Sequence, residues 1–179
     1  MNDEAPTALA AVPQNKNFLS NAGFRLVIRR APHINFFAQK VDIPGISITP
    51  PRQGNPFVTI PHSGEHIEYE PLAITFKVDE DLSNYLEIHD WIKALGFPDS
   101  FSQYSDLKRQ DSFVGKGLTS EISLFILTSH RNPSHEVLFR DAFPFSLSKL
   151  EFDSTLASVE HFEATAILTY TSYKIVPVT

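Results

Sequence analysis

The sequence predicts a mostly β fold: an antiparallel β-sandwich or barrel of about eight strands, with one long α-helix and a protruding β-hairpin arm. Three observations lead there. Apolar residues recur at two-residue spacing in segment after segment, as in Phe24, Leu26 and Ile28 or Ile122, Leu124 and Ile126. One stretch, Leu82 to Leu95, switches to helical spacing through Tyr85, Leu86, His89 and Ile92. Four of the 13 Pro and two of the 7 Gly gather between Thr49 and His66, a loop long enough to need a task of its own.

Composition sets the outer limits. A chain of 179 residues with 42% hydrophobic and 20% charged side chains can bury a real core. We expect one β domain over residues 18–179, a loosely ordered N-terminal arm over 1–17, an arm loop over 49–66 and an insertion loop over 97–117. The absence of Cys removes disulfides, thiolate metal sites and cysteine nucleophiles together. With no signal-peptide core and no apolar run near membrane-spanning length, the expected compartment is the cytoplasm, with no membrane insertion. A net charge of −6 argues against a protein that grips nucleic acid by its phosphates.

In chain order, Phe24 to Arg29 alternates Phe24, Leu26 and Ile28 against Arg25, Val27 and Arg29, a strand with one wet side. Arg29 and Arg30 form the only double Arg and read as a solvated strand end or an intersubunit ion pair. Ile34 to Val41 reads as a second strand, a hairpin partner of the first, which would put adjacent Phe36 and Phe37 on opposite faces and leave one outside the core. Pro44 and Gly45 suit the centre of a type II turn. The Pro-rich loop, interrupted by Phe57, Val58 and Ile60, reads as a hairpin arm reaching off the body.

The segment from Ile67 to Leu95 organises the rest. Ile67, Tyr69, Leu72, Ile74, Phe76 and Val78 alternate with one slip of phase at Pro71, which predicts a strand with a bend. Asp79, Glu80 and Asp81 follow, with Asp81 the expected helix cap, and Gly96 and Pro98 end the helix. Trp91 and Tyr85 are expected to be substantially buried. Thr119 to Thr128 and His135 to Phe139 form a hairpin across the turn His130 to Ser134. Pro144 suits an edge or a strand entrance. Ser146 to Ser154 reads as a strand of ambiguous register, and Glu160 to Val176 as one long strand whose Thr165, Ile167, Thr169 and Thr171 face looks made to meet something.

No motif for catalysis emerges. His62, Glu65 and His66 imitate a ligand set but lie in a Pro/Gly-bounded loop, and Asp79 to Asp81 is explained by capping rather than Mg²⁺. Phosphate-binding glycine loops and the G-x-S-x-G elbow are absent from the sequence. His89 reads as a core histidine. The expectation is no enzyme, no cofactor and no metal.

The order of elements is more informative than any motif. Asn17 to Ile48, Glu70 to Leu95 and Phe152 to Tyr173 together make the chain resemble the tail tube proteins of contractile-tailed bacteriophages, a family similar in fold to the type VI secretion tube protein. That resemblance implies a homo-hexameric ring, stacked rings around a channel, tail sheath and baseplate partners, and genomic DNA passing through without specific binding, in a virion tail assembled in the host cytoplasm. Initiator, baseplate and terminator rings share the fold. The contact candidates are Arg52, Asn55, Phe57, Val58 and Ile60 of the arm, with Arg29, Arg30, Phe36 and Phe37 of the body. Six copies at −6 would carry about −36, so that DNA would slide without sticking. A monomeric β-sandwich binding module and, third, an enzyme using the loop of His62 and His66 are the alternatives from other classes.

Overall fold

The computed structural model describes residues 17–54, 57–64, 66–96, 102, 105, 109, 117–153, 155 and 161–178. In chain order the elements are β1 (Phe24–Ile28), α1 (Pro32–Phe37), β2 (Ala38–Val41), β3 (Ile46–Ile48), β4 (Arg52–Gly54), β5 (Thr59–Pro61), β6 (Ile67–Tyr69), β7 (Leu72–Lys77), α2 (Ser83–Gly96), β8 (Ser120–Leu127), β9 (Pro133–Leu147), β10 (Glu163–Thr169) and β11 (Ser172–Pro177). All described strand pairs are antiparallel. The expected mostly β fold is present as an open, sandwich-like sheet rather than a closed barrel. Its main sheet runs β1-β8-β9-β10-β7-β2, with β11 also paired to β9. No described helix is long and apolar enough to cross a membrane.

Strand β9 joins the two layers. Its first half pairs with β8 and β11, and its second half, Phe143 to Leu147, pairs with β10. Between the halves Asp141 takes a φ of 54°, a left-handed conformation that Asp tolerates better than most residues, and the strand turns the corner there. The predicted long strand from Glu160 to Val176 breaks at the same corner, at Tyr170 and Thr171, and the Thr171 N–H donates to the Arg140 carbonyl at 3.0 Å. Residue 160 itself lies outside the described set. Among the described residues the second half of β9 has β10 as its strand partner on one side and none on the other, so Pro144 sits on an edge of the second layer, beside a register shift in the β10 pairing. Of the predicted strand Ser146 to Ser154, Ser146 and Leu147 are strand, as the end of β9, residues 148–153 are not, and residue 154 lies outside the described set.

Cross-strand complementarity fills the core. Ala164 faces Phe76 and Ala166 faces Ile74 across the β10–β7 ladder, so small residues make room for large ones. Leu26 and Ile28 of β1 lie opposite Leu124 and Ile122 of β8, and Phe139 of β9 lies opposite Ile122. All of these side chains are buried.

The expected first hairpin is replaced by a different pairing. β1 pairs with β8 and β2 with β7, so the two segments belong to different layers. Pro32 to Phe37 is a short helix with Pro in its first turn, and only Ala38 to Val41 is strand. Ile34 drops into the core from this helix, and Asn35 holds it to β1 by accepting from the Ile28 N–H at 2.7 Å and donating to its carbonyl at 3.1 Å. The strand predicted with a bend at Pro71 is two strands, β6 and β7, in separate sheets.

Helix α2 matches its predicted span within a residue at each end. Its cap does not match. Asp81 is exposed and the helix holds no acidic residue in its first turn. Asp79 accepts from the Asn84 N–H at 3.4 Å, and Asn84 returns a bond by accepting from the Asp79 N–H at 3.3 Å while donating to Lys77 O at 2.7 Å. A turn from Asp79 to Leu82, with Leu82 at φ 59°, places the earlier aspartate over the helix start. The buried stripe is Asn84, Ile88 and Trp91, offset from the expected face, and His89 is exposed rather than a core histidine. A buried polar Asn84 hid the true phase. Trp91 is fully buried, and Tyr85 is half-buried with its hydroxyl donating to Ser148 O at 3.1 Å.

Candidate interaction surface

The predicted arm is a two-tier β structure, longer than the loop 49–66. At its base β3 pairs with β6, matching Ile46 to Tyr69 and Ile48 to Ile67. Farther out β4 pairs with β5, matching Arg52 to Pro61 and Gln53 to Ile60. Directly opposed residues share a face, so Ile46, Ile48, Ile67 and Tyr69 form one apolar face, with Ser47 and Glu68 on the other. Ile46 is 61% exposed, Ile48 49% and Ile67 52%. Phe57 at the outer turn is 95% exposed, and Val58 and Ile60 are exposed beside it.

Gly64 belongs between the tiers because a Cβ there would collide with the Ile48 side chain and the Thr49 carbonyl. Gly45 serves differently from the predicted type II turn. Its φ is not left-handed, and its missing Cβ admits the Glu70 carboxylate, whose Oε2 would lie 2.8 Å from a Cβ. That oxygen accepts from the Gly45 N–H at 3.1 Å.

Among the predicted contact residues, Arg52, Phe57, Val58 and Ile60 lie together on the arm and are exposed, while Asn55 falls outside the described residues. Arg29 is exposed at the end of β1. Arg30 is half-buried against its own subunit. Its guanidinium lies 4.9 Å from the Trp91 ring centroid and donates to Gly117 O at 2.8 Å, and burial pushes its pKa down from the ordinary value. Phe36 is 85% exposed and meets half-buried Phe37 edge-to-face at 5.0 Å. One phenylalanine is thus outside the core, by helical rather than strand geometry.

In the His-rich loop, His62 makes hydrogen bonds within the arm. His62 Nε2 pairs with Gln53 Oε1 at 2.9 Å across the outer tier, and Glu65 lies outside the described residues. Among the described residues no three His, Asp or Glu converge as metal ligands. An open groove of about 480 Å³ separates α2 from the second half of β9, with Tyr85, His89 and Phe145 in its lining. Sequence reasoning passed over Ile46, Ile48 and Ile67 as contact residues, although the alternation in D-I-P-G-I-S-I beside a Pro-rich loop carries the signal.

No protein-family model matches the chain, and no curated protein matches it in sequence. Solved structures do match. A chain of the anti-feeding prophage tube-terminating cap superposes with a TM-score of 0.56 at 12% identity, covering 96% of this chain and 100% of its own. A chain of the sheath–tube complex of PVC, an extracellular contractile injection system in its extended state, gives 0.56 at 11% identity over 91% and 94%. A chain of the six-fold symmetrised anti-feeding prophage baseplate gives 0.53 at 11% identity over 86% and 90%. The chain carries the fold common to these tube, cap and baseplate structures of contractile injection systems.

Proposed function

We propose that the chain is a structural, non-catalytic ring protein of a contractile tail. It forms a homo-hexamer that stacks into or caps the tail tube and works alongside sheath and baseplate proteins. The observation that carries this reading is the nearly complete two-way coverage of the tube-terminating cap chain. The apolar face of Ile46, Ile48 and Ile67 supports it, because an isolated subunit leaves that face in water and a second copy would cover it. Residues 18–179 act as one unit. The arm reaches the adjacent ring or subunit, with Arg52, Phe57, Val58 and Ile60 at its outer end and Arg29 and Phe36 on the body. Acidic charge in the lumen lets genomic DNA pass without specific binding, in a virion tail assembled in the host cytoplasm.

Negative-stain microscopy of the purified chain tests the proposal. Rings or tubes are expected, and isolated particles of single-subunit size at every concentration would overturn it. Deleting Arg52 to Ser63 should leave rings that do not stack, and normal tubes from that variant would remove the arm from the account. A second reading, a ring of an injection particle with no DNA in its lumen, is favoured by matches to an anti-feeding prophage and an extracellular injection system. Nucleic-acid content of particles purified from producing cells separates the two.

A further inference from the structure

The arm does not hang from the body on two free strands. Tyr69, at the end of β6, meets Tyr170 at 5.8 Å and Tyr173 at 5.6 Å between ring centroids. Phe139 of β9 meets the same two rings at 5.0 and 5.6 Å, and Tyr170 and Tyr173 meet each other at 6.0 Å. These edge-on and tilted contacts make one aromatic knot. Two hydroxyls leave the knot in different directions. Tyr170 donates to Glu70 O at 2.8 Å, just after β6, and Tyr173 donates to Pro44 O at 3.1 Å, just before β3. The chain entering the arm and the chain leaving it are therefore each held by a tyrosine. They also hold each other, since the Glu70 N–H donates to Gly45 O at 3.1 Å.

The knot sits at the corner of the sandwich. Tyr170 is the first of the two residues between β10 and β11, and Phe139 precedes the bend of β9 at Asp141. Burial, followed by the neighbouring Tyr173, Tyr69 and Glu70 charges, pushes the Tyr170 hydroxyl up to about 12, so it stays a donor across the physiological range.

We infer that Tyr170 and Tyr173 are positioning residues of the arm, clamping both chains of its root to the sandwich corner so that its apolar face is presented at a fixed angle to a second copy of this chain. The inference rests on the proposed reading of the arm as a contact element. A preset arm loses less conformational freedom on docking than a loose one.

The test is hydrogen exchange by mass spectrometry on the full chain and on a Tyr170→Phe/Tyr173→Phe variant, which keeps the rings and removes only the hydroxyls. Exchange at the Glu70 amide and the β3–β6 ladder should accelerate on the order of tenfold, with the β1–β8 ladder unchanged. Microscopy of the same sample should show rings that no longer stack. Unchanged exchange at the arm root overturns the clamp, and faster exchange with normal stacking overturns its positioning role. If the double variant does not fold, Tyr173→Phe alone carries the test, because half-buried Tyr173 leaves the corner intact. Should the unaltered chain form no rings at all, the proposed function falls while the exchange arm still decides the clamp.

Discussion

Helix α2 and the arm are both rich in large apolar side chains, and the structure treats them in opposite ways. On α2, Ile88 and Trp91 are buried inside the subunit, and every polar group that goes in with them is answered. Trp91 Nε1 donates to Leu118 O at 3.0 Å, Arg30 covers its ring, and Asn84 is bonded to Lys77 and Asp79. On the arm, Ile46, Ile48, Ile67, Phe57 and Val58 stay exposed on short ladders, with a body-side anchor at the root. A single subunit thus completes one apolar surface and leaves the other open. Apolar content alone does not locate a core; what lies opposite each residue does.

Substitutions should separate the two regions sharply. The largest effect belongs to Trp91→Ala, which opens a cavity and unpairs Leu118 O. Urea unfolding should show a loss of about 3–5 kcal/mol, and a loss below about 1 kcal/mol would make α2 peripheral to the fold. Next comes Asn84→Ala, which strands Lys77 O and the Asp79 N–H and should cost about 1–3 kcal/mol by the same assay. Ile46→Ser combined with Ile67→Ser should shift stability by about 0.5 kcal/mol or less and still abolish stacking under the microscope. A large stability loss there would mean that the arm face belongs to the subunit's own core.

The smallest effect concerns how the short helix is tied to the long one. His33 of α1 bonds Glu87 of α2 through Nδ1 at 2.6 Å, and its backbone N–H donates to the other carboxylate oxygen at 3.3 Å. The hydrogen bond and charge of Glu87 hold the His33 pKa above the ordinary histidine value. A raised folded-state pKa means that the contribution is fully present below the unfolded-state pKa and is lost as pH rises through the folded one. Titration of His33 by NMR should place its midpoint above that of a free histidine, and Glu87→Gln should bring it down. An unmoved midpoint in the variant would remove Glu87 as the cause.

The sequence revealed regions where local pattern and final environment coincide. β7 alternates cleanly because one face meets the core, α2 shows helical spacing, and Pro and Gly mark the arm. It concealed whatever depends on a distant partner. Arg30 looks like a solvated strand end until Trp91 and Gly117 arrive from far along the chain. Helix α1 spans six residues with Ala31 at its N-cap and no side-chain cap, so its Phe pair mimics a strand. The corner at Asp141 follows from two layers meeting rather than from a glycine, and the Tyr170 and Tyr173 hydroxyls find Glu70 and Pro44 only once the chain is folded. Asp79 took the cap from Asp81 because the turn at Leu82 fixes which carboxylate overhangs the helix, a detail no spacing rule carries.

The claim that the arm's apolar face awaits a neighbour is tested most directly by hydroxyl-radical footprinting of the unaltered chain in assembled and dissociated fractions. The account predicts that modification of Ile46, Phe57 and Ile67 falls on the order of tenfold on assembly, while buried Trp91 stays unreactive in both. Equal modification of the arm residues in the two fractions, or a chain that yields no assembled fraction, would contradict it.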